Sequence, residues 1–269
     1  MQNAVKFTSK LDKALGETIR AIGTPDFTQV LSYFVAQLVE FDNLIIIVYH
    51  KNHNPSVLYR EYKDPTVYLS MDSHYVTAAY LLDPFYQAVR SGLQSGVHHI
   101  FELAPDQFKQ TSYFREYYRD TTLIDEFGVF ARLGTETTLT ACFGRDNTSR
   151  QMFTKTELVT IKSYAYLLTA LCEKHWKGYT PLEGKNISLP PVTERLRDAL
   201  RIKHDIALSP RQAEVALYIL QGHSSLSIAL NLDISKETVK VFRKQLYAKC
   251  NISSQAELFS LLMPIFSVL

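Results

Sequence analysis

In the last quarter of the chain, apolar residues recur at helical spacing in four short segments. Each segment begins with a serine, a residue that favours the N-cap because its hydroxyl accepts a hydrogen bond from a first-turn N–H. These serines are Ser209, Ser224, Ser235 and Ser254. Gly222 ends the first segment, and a break of a few residues separates the second from the third. The pattern predicts four helices, with a helix-turn-helix at the second and third.

The first 178 residues carry mixed helical and strand patterns. We predict helices over residues 27–40, 83–91 and 112–119 and a long helix after Thr154, with strands over 44–50, 56–62, 97–103, 126–133 and 137–143. This order resembles that of GAF/PAS-like sensor domains. We therefore expect an α+β N-terminal sensor domain followed by an all-α four-helix module.

Domain boundaries follow from changes in composition along the chain. Residues 1–178 form the predicted sensor domain, and 206–269 form the predicted helix-turn-helix domain. Between them, residues 179–205 include Pro181, Pro190 and Pro191, and they are predicted to be a linker with a short helix over 193–203.

The third helix of the module has two different faces when its residues are placed at 100° intervals. Val239, Phe242, Leu246 and Cys250 share the side predicted to pack. Glu237, Val241, Lys244 and Ala248 lie opposite, with Lys240 beside them and Arg243 near the boundary. The formal net charge of the whole chain is only +2. A basic helix in a nearly neutral chain suggests local contact with a polyanion, although a solvated charged face would show the same pattern.

Residues 208–258 resemble the LuxR/NarL-type helix-turn-helix family. The matching positions are Leu208-Ser209, Arg211, Glu214-Val215, Gly222, Ser224, Ile228-Ala229, Leu232, Ile234-Ser235, Thr238-Val239-Lys240, Tyr247, Lys249 and residues 253–258. The resemblance implies binding to double-stranded DNA, with Lys240, Val241 and Lys244 facing the bases. It also implies that Lys236, Thr238 and Arg243 approach phosphates.

Three residues depart from the family pattern. Phe242 stands where a histidine is usual, Cys250 where a leucine is usual, and Gln255 where an arginine is usual. The first two are packing positions, so they change little. Gln255 removes one expected phosphate contact and should lower affinity slightly.

The segment from Tyr80 to Phe85 resembles the Asp-Pro site of the LuxR autoinducer-binding domain, where the aspartate accepts a hydrogen bond from the ligand amide. Tyr80 and Asp83 are therefore the candidate ligand-binding residues. That family also uses pocket tryptophans, whereas the one tryptophan here is Trp176. We favour Asp83 as a helix N-cap, with Pro84 in the first turn, and expect a shared fold more than a shared lactone ligand.

Other functions find little support in the sequence. No run approaches the roughly 20 apolar residues of a membrane helix, and no signal peptide is evident, so we expect a cytoplasmic protein with no membrane contact. The three cysteines are expected to be reduced core residues. We expect no catalytic residues, no metal site and no cofactor, because neither a nucleophile elbow nor a metal-ligand spacing occurs. A phospho-receiver domain is disfavoured, since the strand at 44–50 leads into Lys51-Asn52-His53 rather than an acidic pair.

Together these patterns predict a one-component bacterial transcription regulator. We expect a homodimer that binds double-stranded DNA and responds to a small-molecule effector. One alternative is control by a protein partner without a small ligand, which a fully packed sensor interior would favour. A second is an enzyme with an appended DNA-binding domain, which a set of perturbed titratable groups would favour.

Overall fold

The computed structural model of this chain describes residues 2–50, 53–69, 71, 75–119, 122–180 and 190–267, without the side chains of 2–9 and 119. The chain divides into two units, each assembled from three stretches. Unit 1 consists of Met1–Val67, Gly92–Glu102 and Thr122–Gly184, and unit 2 of Tyr68–Ser91, Leu103–Thr121 and Lys185–Leu269.

The helices α1 to α12 span, in chain order, Gln2–Ala21, Phe27–Ala36, Pro84–Arg90, Ile100–Leu103, Ser112–Phe114, Lys155–Ser163, Ala165–His175, Val192–His204, Pro210–Gln221, Ser225–Leu232, Lys236–Cys250 and Gln255–Phe266. The strands β1 to β5 span Asn43–His50, His53–Tyr62, Gly96–His99, Leu123–Arg132 and Thr137–Asp146. Short 3₁₀ turns occur at Pro65–Tyr68, Ala79–Leu82 and Phe108–Gln110, and a π-helical turn at Arg115–Arg119.

Unit 1 is built on one antiparallel sheet in the order β2-β1-β5-β4-β3. Successive side chains of a strand point to opposite faces. On the first face, Leu44, Ile46 and Val48 join a core formed with α1, α2, α6 and α7. The second face is also buried, since Ile45, Ile47, Phe130 and Cys142 have little exposure. This explains why β1 reads as a continuous apolar run rather than an alternating one.

The α+β class predicted for the N-terminal region is confirmed, with corrections at the level of elements. The strand predicted over 97–103 is wrong beyond His99, because the chain turns into α4 there and the Glu102 carboxylate accepts a hydrogen bond from the backbone N–H of His99. The long helix after Thr154 is interrupted at Tyr164 and forms α6 and α7. Helix α1 had no counterpart among the sequence predictions.

The four helices predicted for the C-terminal module are α9 to α12, and all belong to unit 2. Each of the four predicted serines is the N-cap and accepts a hydrogen bond from the backbone N–H three residues later. Gly222 ends α9 in the left-handed conformation, at φ +95°. The predicted helix over 193–203 is confirmed as α8, whose Leu196 and Leu200 are buried.

The predicted domain boundaries remain predictions. Residues 181–189 of the predicted linker lie outside the described residues. Within the described part of the chain, no helix is long and apolar enough to cross a membrane, and no group of three or more His, Cys, Asp or Glu side chains is placed to hold a metal ion.

Candidate functional site

Helices α10 and α11 are joined by a tight turn that sets their relative direction. Asp233 ends α10 in the left-handed conformation at φ +52°, and the backbone N–H of Ile234 donates to the carbonyl of Ala229. Ser235 then caps α11, its hydroxyl accepting from the backbone N–H of Thr238 at 3.0 Å. Two helices joined by such a short turn form the predicted helix-turn-helix.

The two faces predicted for α11 are present in the structure. Val239 and Leu246 are fully buried, and Cys250 is buried. Phe242 is only half-buried. On the other side Lys240, Val241 and Lys244 are exposed. The Val241 side chain is 52% exposed, so covering it with another apolar group would be favourable.

The residues predicted to approach phosphates lie at the N-terminus and along the edge of α11. Lys236 is exposed in the first turn, and Thr238 is half-buried with its hydroxyl 2.8 Å from that of Ser235. The Arg243 guanidinium donates to the Ser225 hydroxyl at 3.2 Å and lies 6.0 Å from the ring of Tyr247. Arg243 is therefore oriented by its neighbours, which lowers the entropy lost when it binds an anion.

The exposed face of α11 also carries an acidic group. The Glu237 carboxylate accepts from the Lys240 ammonium at 2.9 Å, and both side chains are exposed. An exposed pair of this kind stabilises the helix weakly, so Lys240 can exchange Glu237 for another acceptor at little cost.

The candidate ligand residues Tyr80 and Asp83 are both buried in unit 2. Asp83 is the N-cap of α3, as its sequence context favoured, and its carboxylate accepts from the backbone N–H of Phe85 at 2.7 Å. The hydroxyls of Tyr75 and Tyr113 also donate to it. Burial raises the pKa of Asp83, in spite of these hydrogen bonds.

Tyr80 lies in the 3₁₀ turn that precedes Asp83, with its ring edge-to-face against Tyr86 at 4.8 Å. Burial raises the pKa of Tyr80 to about 12. The neighbouring tyrosines form a stacked cluster: Tyr113 lies 4.8 Å from Tyr117, which in turn contacts Tyr75. The structure thus places this tyrosine cluster beside Asp83.

A surface cavity of about 680 Å³ lies elsewhere, in unit 1. Its charged walls include Asp42, Lys63 and Arg145, and neither Tyr80 nor Asp83 lines it. Lys63 is paired with Asp42 at 2.8 Å, and Arg145 with Glu157 at 2.5 Å. Both basic side chains of this cavity are therefore already paired with carboxylates, and Glu40 and Glu61 also line it.

Comparison with known proteins places the helix-turn-helix in a family. Residues 207–262 match the model of the bacterial regulatory proteins of the luxR family, GerE. Over 184 residues the chain is 30% identical to a protein of Aeromonas salmonicida named as an HTH-type transcriptional regulator in the exeN 3′ region, covering 67% of this chain and 93% of that protein. The chain belongs to the luxR family of bacterial regulatory proteins.

Several solved structures are similar to the luxR-family regulator. The VqsR LBD domain from Pseudomonas aeruginosa aligns with a TM-score of 0.52 and 24% identity, over 61% of this chain and 94% of that domain. SdiA in complex with octanoyl-rac-glycerol aligns over 97% of this chain and 95% of its own, with 17% identity and a TM-score of 0.42. SdiA from Escherichia coli aligns over 95% and 98%, with 16% identity and a TM-score of 0.38.

Membership of this family settles the broad class of the molecule. The luxR-family regulator is a transcription regulator with a DNA-binding helix-turn-helix, and it is not an enzyme. The resemblance deduced from residues 208–258 is therefore confirmed.

The luxR-family regulator also contains polar residues that sequence reasoning missed. The Thr140 hydroxyl on β5 is completely buried and is one of the side-chain groups for which the described residues supply no hydrogen-bond partner. Gln221 is buried at the end of α9 and donates to the carbonyl of Leu81, 140 residues earlier. A threonine in a strand and a glutamine at a helix end are common, so neither gave a signal in the sequence.

Proposed function

We propose that the exposed face of α11 enters the major groove of double-stranded DNA. Lys240 and Lys244 would donate to guanine acceptors, and Val241 would contact a thymine methyl group. Lys236, Thr238 and Arg243 would contact phosphates on either side of the groove. The observation that carries this proposal is the exposure of Lys240, Val241 and Lys244 on one side of a helix whose opposite side is buried within a helix-turn-helix.

Replacement of the two lysines tests the base contacts. Lys240→Ala and Lys244→Ala should each weaken operator binding by about 1–3 kcal/mol, because each removes a donor to a base edge. Operator affinity is measured by gel-shift titration, with the fold checked by circular dichroism. Lys174→Ala, which removes an exposed lysine on α7, is the matched control and should bind as the wild type does. Unchanged affinity in both α11 variants would refute the assignment.

We also propose that a small molecule bound to the N-terminal domain controls the regulator. The fold shared with the VqsR LBD domain supports this, and so does the completely buried Thr140 hydroxyl, which has no partner among the described residues. A buried polar group without a partner costs about 1–3 kcal/mol, and a bound ligand can remove that cost.

Within unit 2, Tyr80 and Asp83 are the candidate polar contacts for such a molecule. The Tyr80 hydroxyl is held in its neutral, hydrogen-donating form, since its pKa is raised to about 12 by burial. Asp83 already accepts several hydrogen bonds, so a ligand would gain from it by replacing one of the tyrosine donors.

Thr140→Val separates ligand binding from stability. Valine has nearly the same shape without the hydroxyl, so the free energy of unfolding should be unchanged or slightly higher. In a melting-shift screen of the full chain with amino acids, amines, aromatic acids and acyl lactones, a ligand at a hundredfold excess over Kd adds about 2.7 kcal/mol. Thr140→Val should lose most of that shift.

Thr169→Val is the matched control, because the Thr169 hydroxyl donates to the carbonyl of Ala165 within α7. This variant should lose some stability but keep the ligand response. If none of the compounds shifts the melting temperature of the wild type, the alternative of control by a protein partner is favoured.

We further infer that the regulator acts on DNA in the cytoplasm as a homodimer. A two-fold dimer would read half-sites about 10 base pairs apart, or a multiple of that spacing. In α12, the apolar residues Leu258, Leu262 and Phe266 are buried within unit 2, where the helix packs against α5, α8 and α9. The exposed Val159 and Tyr166 on α6 and α7 are the better candidates for the interface.

A further inference from the structure

We propose that Leu81, Asp106, Gln107, Phe108 and Thr111 form a docking surface, here called the latch, that holds the helix-turn-helix through its α9–α10 turn. The latch would transmit a change in the hydrogen bonds of Asp83 to the DNA-binding module. This inference rests on the proposed control through Tyr80 and Asp83, and it concerns how that control reaches α11.

Two backbone groups of the α9–α10 turn are bound by the latch. The backbone N–H of Gln107 donates to the carbonyl of Gly222 at 2.8 Å, and the backbone N–H of Ser224 donates to the Asp106 carboxylate at 2.9 Å. Burial raises the pKa of Asp106, but the hydrogen bonds from Ser224 outweigh it and hold the pKa below its usual value. The charged carboxylate is therefore the form that binds, close to the positive end of the α10 dipole.

The contact at Gly222 leaves no space for a side chain. A Cβ added there would lie 2.8 Å from the Cα of Phe108 and 2.8 Å from the Thr111 methyl group. Three other glycines, Gly23, Gly92 and Gly178, share its left-handed backbone, yet an added Cβ would meet nothing within 4 Å at any of them. The glycine that ends α9 thus has a second role, because it admits the backbone of the latch.

A third hydrogen bond connects α9 to the candidate ligand residues. The carbonyl of Leu81 accepts from Gln221 at 3.3 Å and from Gln87 on α3 at 2.6 Å. Leu81 lies in the 3₁₀ turn between Tyr80 and Asp83. A change in the hydrogen bonds of Asp83 that moves this turn therefore moves the acceptor of Gln221.

The contacts between the latch and the α9–α10 turn are weak enough to break and re-form reversibly. The latch binds the turn through three hydrogen bonds and one close backbone approach, each of modest net strength. A ligand can shift the equilibrium between the closed and the open latch only by the difference between its affinities for the two states. The free energy of these few hydrogen bonds is small enough for such a difference to overcome. Opening the latch would release the α9–α10 turn without unfolding α9 or α10, since Ser209 and Ser224 cap those helices from within.

Amide hydrogen exchange on the full chain tests the latch without DNA. The probes are the amides of Gln107 and Ser224, which donate across the contact. Asp106→Ala and Gln221→Leu should each accelerate exchange at both amides by about fivefold or more, because each removes one hydrogen bond of the latch. Asp106→Asn keeps an acceptor oxygen without the charge, so it should accelerate exchange less than Asp106→Ala does.

Transmission is tested with Tyr75→Phe, which removes only a hydroxyl that donates to Asp83. We expect faster exchange at Gln107 and Ser224 in this variant, and no further acceleration when it is combined with Asp106→Ala. Unchanged exchange in Tyr75→Phe, or additive effects in the double variant, would overturn the inference. Operator binding by Lys240→Ala is measured by gel shift, whereas the latch is measured by hydrogen exchange without DNA. Failure of the DNA-binding proposal and failure of the latch therefore give different results.

Discussion

Asp83 is a buried carboxyl group whose named partners are tyrosine hydroxyls and backbone N–H groups rather than cations. The Tyr75 and Tyr113 hydroxyls and the backbone of α3 surround it, yet burial dominates and raises its pKa. The folded state therefore favours the protonated form more than the unfolded state does. The contribution of Asp83 to stability is complete below the unfolded pKa of about 3.9 and is lost as pH rises through the higher folded pKa.

Asp83→Asn should remove this dependence on pH, because an amide does not titrate. We expect the free energy of unfolding of the wild type, relative to Asp83→Asn, to fall as the pH rises from about 4.5 to about 7.5. Urea unfolding of both proteins at several pH values in this range measures the difference. A difference that is constant, or that grows with pH, would show that Asp83 is not destabilised in its charged form.

Gln255 illustrates the limit of reading a residue from its family pattern. Its sequence position suggested a lost phosphate contact, and the structure shows its side chain donating to the carbonyl of Ile219 at 2.7 Å. That carbonyl lies in the last turn of α9 and also accepts from the backbone N–H of Gly222, the residue that ends the helix. The glutamine therefore fastens the start of α12 to the end of α9.

At the scale of elements, α9 and α11 are joined by one buried side chain. The Gln212 carbonyl oxygen accepts from the backbone N–H of Ser209 and, at 3.0 Å, from the Lys249 ammonium, while its amide donates to Gln245 at 3.1 Å. Lys249 also donates to the carbonyl of Ala207. This group of hydrogen bonds fixes the direction of α11 relative to the rest of the module.

Gln212→Ala should therefore lower the free energy of unfolding by about 1–3 kcal/mol, since it leaves several polar partners without a bond. Thermal and urea unfolding measure the loss. Gln151→Ala, at an exposed glutamine in unit 1, should change stability by less than about 0.5 kcal/mol. Equal stability of the two variants would mean that water replaces Gln212 at no cost.

Elements with local signals were predictable, and those that depend on distant partners were not. The four serine caps and Gly222 act on their own helices, so α9 to α12 could be placed from the sequence. The strand predicted through Leu103 failed because an apolar run fits either a strand or a buried helical turn. The burial of Thr140 and the hydrogen bond of Gln221 depend on residues far away in the chain, and periodicity carries no information about such distant neighbours.

At the scale of the whole molecule, the exposed apolar residues of α6 and α7 support the proposed dimer. Tyr166 is 94% exposed and Val159 is 69% exposed. Val159 lies on α6 and Tyr166 lies near the start of α7, on the two helices that meet at Tyr164. Large apolar side chains that are this exposed are candidates for a contact surface.

We expect Tyr166→Glu and Val159→Glu to shift the full chain toward the monomer in sedimentation velocity, because each places a charge at an apolar contact. On operator DNA these variants should protect single half-sites in footprints. Tyr62→Glu, at a partly exposed tyrosine on β2, is the control and should sediment as the wild type does. A wild-type protein that is monomeric both alone and on DNA would contradict the dimer.

The bond between Leu81 and Gln221 also has a consequence for biosynthesis. A ribosome adds about 5–20 residues per second, so the 140 residues between these partners take on the order of ten seconds to make. During that interval the stretch Tyr68–Ser91 has emerged, but the C-terminal helices of its unit have not. The apolar side chains of the 3₁₀ turn Ala79–Leu82 are buried in the folded protein, where this turn packs against α9, so they must wait for that helix. The nascent chain is therefore a natural client for chaperones that shield apolar surface until translation ends.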